Sequence, residues 1–108
     1  MAVILQAVME DPLCREAIST RFLVTEPAEK HPEGQELSNW FLRRIEDRDC
    51  GKATVMGAKT GYVTESGNCA ASYGKTPDGS TYICVTGDAS GKWNCISDHA
   101  YLYKTYAQ

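Results

Sequence analysis

Apolar residues open the chain at Val3, Ile4, Ala7 and Val8, a spacing that puts four side chains on one face of a helix over residues 1–10. Asp11-Pro12 interrupts it. Asp favours the N-cap and Pro the first helical position, so a second helix is predicted over 12–19, burying Leu13, Ala17 and Ile18. Met1 runs straight into helix with no cap or lead-in, which suggests a natural polypeptide that starts earlier. Residues 20–25 carry β-prone types and read as a short strand. Residues 26–36 are rich in Pro, Glu, Lys and Gly and read as a solvated loop. Leu37, Trp40, Phe41 and Ile45 then recur at near-helical spacing, predicting a helix over 37–46 with Ser38 as its cap. Asp49 to Lys52 reads as a turn.

From residue 53 the pattern changes to strands at 53–63, 68–75 and 80–87. They are joined by turns at Thr64–Gly67 and Thr76–Ser80, the second holding the hairpin pair Asp78-Gly79. Asp88 to Lys92 reads as a loop. Ile96, Ala100, Tyr103 and Ala107 place a last helix at the C-terminus, capped by Asn94 or Ser97. With no repeat and no composition shift, residues 1–108 read as one domain of α+β class: a helix pair, an antiparallel meander and a closing helix.

Composition narrows the function. At 43% apolar and 23% charged the chain is an ordinary globular sequence with material for one core. The net charge of −3, without any basic run, argues against nucleic acid as a partner. No apolar stretch approaches the roughly 20 residues a bilayer requires. Residues 1–9 lack the basic start of a signal peptide. The five cysteines, at 14, 50, 69, 84 and 95, are odd in number and unclustered, so free thiols are expected rather than a disulfide framework or a metal site. His31, between Lys30 and Pro32, reads as a surface histidine. Arg43-Arg44 lies among Glu36, Glu46, Asp47 and Asp49, which favours a solvated face over an anion site.

Gly57-Ala58-Lys59-Thr60-Gly61-Tyr62 is the stretch with most chemistry in it. Neighbouring strand residues point to opposite faces, so Lys59 and Thr60 diverge. Gly61 lets another backbone approach closely. A strand of this kind suits pairing with a peptide backbone while the cation and hydroxyl read an anionic end. The bland alternative is a solvated lysine beside an ordinary strand threonine, because a tripeptide recurs by chance.

The surrounding residues point further. Gly57 to Tyr62, then Glu65-Ser66-Gly67-Asn68-Cys69-Ala70-Ala71-Ser72, Asp78-Gly79 and Ile83-Cys84-Val85-Thr86-Gly87-Asp88-Ala89 closely resemble the last part of serine-type D-alanyl-D-alanine carboxypeptidases, the low-molecular-mass penicillin-binding proteins. Residues 1–25 also resemble the family helix before this sheet, whereas 26–49 match poorly. The resemblance implies a partial β-lactamase/transpeptidase-like fold, no cofactor, and work on cell-wall peptide outside the cytoplasmic membrane. The cysteines sit oddly with that compartment. The resemblance also implies three motifs: S-x-x-K with the nucleophile, S-x-N, and K-T-G. The serine forms an acyl-enzyme that water releases. By resemblance, Lys59 supplies positive charge, Thr60 hydrogen-bonds the substrate carboxylate, and the strand through Gly61 pairs with the peptide.

The upstream motifs are absent before Lys59: Ser19 is followed three residues later by Phe22, and Ser38 by Phe41. Ser66-Gly67-Asn68 and Ser72-Tyr73-Gly74-Lys75 match in letters but lie downstream, in the meander itself, and are expected to be coincidences. The chain therefore reads as the C-terminal portion of such an enzyme, inactive alone because its nucleophile is elsewhere. Its partners would be a D-Ala-D-Ala-terminated peptidoglycan peptide or a β-lactam in the complete enzyme, with self-association or pairing with the N-terminal portion. The competing reading is a non-catalytic peptide-binding or interaction module built on the same strand.

Overall fold

Asp11 divides the N-terminal stretch as its pairing with Pro12 predicts. Helix α1 spans Ala2–Glu10 and α2 spans Pro12–Ser19. The Asp11 carboxylate accepts the backbone N–H groups of Leu13 at 2.9 Å and Cys14 at 3.1 Å, two donors a helix start otherwise leaves open. The computed structural model describes every residue except Ala28, His31 and Gln108, so the reading of His31 lies outside the described residues.

Burial in these helices departs from their pattern. Within α1 only Leu5 is buried, while Val3 and Ile4 are 78% and 59% exposed. None of α2 is buried, and Leu13 is 75% exposed. The apolar stripe predicted to face a core is surface that no other described part of the chain covers.

The next segment corrects the predicted boundaries. Strands β1 (Phe22–Val24) and β2 (Glu36–Ser38) form an antiparallel hairpin pairing Phe22 with Ser38 and Val24 with Glu36. Leu37 belongs to this returning strand, not to a helix. The helix α3 is shorter, Trp40–Ile45. Its cap is Asn39 rather than Ser38, with the Asn39 side-chain oxygen accepting from Leu42 N–H at 3.1 Å.

The meander follows as expected: β3 (Thr54–Val63), β4 (Gly67–Lys75) and β5 (Thr81–Ala89), antiparallel in the order β3-β4-β5. Two bulges adjust it. The register slips between Val55 and Gly57, so Met56 is an extra residue, and Val55 and Ala58 both reach the same core face despite odd spacing. The second slip lies opposite Asn68/Ala70. There Asp88 takes a left-handed φ of 58°, its N–H bonds to Ser66 O at 2.9 Å, and β5 continues to Ala89 instead of ending at Gly87.

Helix α4 spans Lys92–Tyr106, starting before Asn94 and Ser97, the caps its sequence suggests. Gly91 holds the N-cap position, and the Asn94 amide binds the Ser90 hydroxyl at 2.6 Å instead of capping. Helices α3 and α4 cover one sheet face. Phe41, Leu42, Ile45, Ile96 and Tyr103 pack there against Val55, Ala58 and Ala70. Helix α2 meets the other face, where the Ser19 and Tyr73 hydroxyls share a hydrogen bond at 2.6 Å. A Cβ on Gly57 would lie 2.4 Å from the Tyr73 ring and 3.0 Å from Ser19 Oγ, so this glycine is required by packing within the chain.

Candidate functional site

The outer edge of β3 borders a cleft. Asn39, between β2 and α3, donates its side-chain N–H groups to Ala58 O at 2.9 Å and Ile18 O at 3.2 Å, tying the end of α2 to β3. The Ala58 carbonyl therefore faces the outer edge, and the alternation of an antiparallel strand turns the backbone of Thr60 and Tyr62 the same way. Lys59 Nζ donates to Thr60 O at 2.6 Å, folding the ammonium along that edge. Lys59 and Thr60 line a cleft of about 610 Å³ whose other walls include Leu13, Leu23, Leu37 and Trp40. Gly61 lies beyond it, in an adjoining hollow of about 430 Å³ shared with Trp40, Thr60, Tyr62 and Lys92. A Cβ on Gly61 would meet nothing within 4 Å. Unlike Gly57, it answers to no neighbour in the described chain, and the edge beside it is open.

The downstream serines sit elsewhere. Ser72 is fully buried under α4, its hydroxyl bonded to His99 Nδ1 at 2.7 Å and to Tyr103 OH at 2.8 Å. His99 Nε2 continues to the Thr86 hydroxyl at 2.9 Å. A serine–histidine contact at this distance would suit a nucleophile, but no substrate reaches a fully buried hydroxyl. Burial lowers the His99 imidazole from 6.5 to about 4 and also pushes the Tyr103 phenol up. The network is a satisfied core cluster joining α4 to β4 and β5. Ser66 Oγ bonds to Gly67 O at 3.2 Å within its own turn, and the Asn68 amide donates to Ala89 O at 3.3 Å across the β4–β5 pair.

Sequence reasoning missed three residues at the edge. Asn39 was passed over for Ser38 as the cap of α3, and its hold on β3 spans 19 positions. Trp40, taken only as a helix-face residue, separates the two hollows and meets Trp93 edge-on at 5.2 Å between centroids. Lys92 was placed in a loop, but it opens α4 with its ammonium 5.2 Å from the Trp40 ring centre. The arginine pair divides. Arg43 is exposed as expected, but Arg44 lies 5.9 Å from the Trp93 ring, half-buried. Two of the acids read as its neighbours bind other cations: Glu46 pairs with Arg21 at 2.9 Å and Asp49 with Lys104 at 2.7 Å. All five cysteines are free thiols, Cys14 fully at the surface.

No protein-family profile matches the sequence, and no curated protein matches it. Among solved structures, the chain is similar to the D-alanyl-D-alanine carboxypeptidase of Mycobacterium tuberculosis H37Rv, with a TM-score of 0.69 and 16% identity. The likeness covers 98% of this chain and 38% of that one. The chain thus has the α+β fold of part of a D-alanyl-D-alanine carboxypeptidase, and spans little more than a third of that protein's length. Among the described residues no helix is long and apolar enough to cross a membrane.

Proposed function

We propose that this chain supplies the K-T-G wall of a serine-type D-alanyl-D-alanine carboxypeptidase acting in peptidoglycan maturation in the cell envelope. The observation that carries the reading is the position of Lys59-Thr60-Gly61 on the open edge of β3, beside a cleft, in a chain of carboxypeptidase fold. A D-Ala-D-Ala-ended peptide adds to that edge as an extra strand. Thr60 donates its hydroxyl to the terminal carboxylate and Lys59 provides positive charge, with Gly61 leaving room for the peptide backbone. A charge-assisted hydrogen bond of this kind is worth about 1.5–3 kcal/mol.

The nucleophile is not among these residues: Ser72 is buried, and Ser66 is held in a turn. In the complete enzyme, an upstream portion with S-x-x-K and S-x-N faces β3 across the cleft. The uncovered apolar residues of α1, α2 and the β1–β2 hairpin support such a partner, and alone they favour self-association. Labelling with a fluorescent penicillin tests the assignment. The isolated chain is expected to stay unlabelled, and an adduct mapped to any of its serines would overturn the reading. Sedimentation is expected to give concentration-dependent dimers or larger species. A single monomer at all concentrations would remove the claim about the apolar surface.

A further inference from the structure

The hollow beyond Trp40 takes no side chain in the reading above, which places only the backbone and the carboxylate end of the peptide. It adjoins the outer edge of β3 at Thr60 and Tyr62 and is lined by Trp40, Gly61, Tyr62, Asn68 and Lys92, in about 430 Å³. That volume is ample for an amino-acid side chain. Its one cation is Lys92, exposed and in no ion pair among the described residues. The Lys92 ammonium rests 5.2 Å from the centre of the Trp40 ring, an arrangement that holds it at the rim. Trp93 braces Trp40 from behind at 5.2 Å. No carboxylate side chain lines the hollow, so the charge there is uncompensated.

Direction settles what reaches it. A peptide pairing antiparallel to β3 with its C-terminus at Lys59-Thr60 runs its preceding residues past Gly61 and Tyr62. Directly opposed residues share a sheet face, and the face of Thr60 and Tyr62 is the one α4 covers. We propose that this hollow is a specificity subsite for the residue preceding D-Ala-D-Ala, and that Lys92, set on Trp40, selects a carboxylate-bearing side chain there. The inference rests on the reading of β3 as the peptide-binding edge.

Amide chemical shifts of the isolated chain, followed during titration with two peptides, test both levels separately. The peptides are acetyl-L-Glu-D-Ala-D-Ala and its isostere acetyl-L-Gln-D-Ala-D-Ala. Both are expected to move the Thr60 and Gly61 amides, with the Glu peptide binding about threefold to fivefold more tightly, as for an exposed ion pair. Lys92→Gln is expected to bring that ratio to one without weakening the Gln peptide, and Lys92→Glu to invert it. Lys92 is exposed, so neither variant threatens folding. Equal binding of the two peptides to the wild-type chain, with Thr60 still shifting, overturns the subsite and leaves the edge reading intact. If neither peptide moves Thr60, the edge reading falls and the subsite with it.

Discussion

Two polar clusters sit on the same sheet and are built in opposite ways. Under α4, Ser72, His99, Tyr103 and Thr86 are linked by hydrogen bonds of 2.7 to 2.9 Å, and every hydroxyl finds its partner inside the protein. On the outer edge of β3, Lys59 and Thr60 line a cleft, Gly61 borders the adjoining hollow, and a Cβ on Gly61 would touch nothing. The closed cluster has the more catalytic-looking letters, a serine against a histidine, yet its geometry serves stability. The open one has the plainer letters, and its geometry leaves side chains and backbone accessible from outside. Accessibility separates the two, where residue type alone does not.

The largest expected effect comes from acid. The unfolded chain protonates His99 near 6.5, while the buried imidazole waits until about 4. A base whose folded pKa is depressed leaves the unfolded state binding more protons. Stability is therefore complete above about pH 6.5 and falls as the pH drops towards 4, by about 2–3 kcal/mol. Urea unfolding at pH 7 and pH 4.5 should show this loss, and a His99→Gln variant should show much less of it.

Gly57→Ala comes next. Its new methyl meets the Tyr73 ring and the Ser19 hydroxyl, and a destabilisation of about 1–3 kcal/mol is expected by denaturant titration. Ser72→Ala should follow with about 1–2 kcal/mol, because it strips a buried partner from both His99 and Tyr103. The same measurement on Gly61→Ala should move stability by less than about 0.5 kcal/mol. Equal costs for Gly57→Ala and Gly61→Ala would erase the contrast between a glycine kept for packing and one with open space beside it.

The sequence reveals the closed and open regions unequally. The meander was readable because alternation, Asp78-Gly79 and the Ser66-Gly67 turn are local signals. The split at Asp11-Pro12 was readable for the same reason. What escaped depends on distance along the chain. The strand read over residues 20–25 is β1, but its partner β2 was missed, because the three residues Glu36–Ser38 are too few to leave a period. Asn39 caps α3 and also reaches back to Ala58 and Ile18, and only the first duty has a sequence signature. The start of α4 is set where Trp93 meets Trp40, against the preference of Asn94 and Ser97 for the cap. At the site, Lys59-Thr60-Gly61 was legible as a motif. The cleft beside it was not, because its walls come from α2, β1, β2 and α3.

The apolar stripes of α1 and α2 carry the same lesson. Their helical spacing is real, and the inference that it faces a core fails because no described part of the chain lies against most of it. Helical periodicity reports that a face is apolar, not what lies against it.

The central claim is that the open edge of β3 reads a peptide's terminal carboxylate. Titrating the isolated chain with acetyl-D-Ala-D-Ala and with its C-terminal amide, and following the Thr60 and Gly61 amide signals, tests it most directly. The free acid should shift both signals saturably, the amide should bind at least about tenfold more weakly, and Thr60→Val should abolish the difference. Equal responses to acid and amide, or no response at Thr60, would contradict the account.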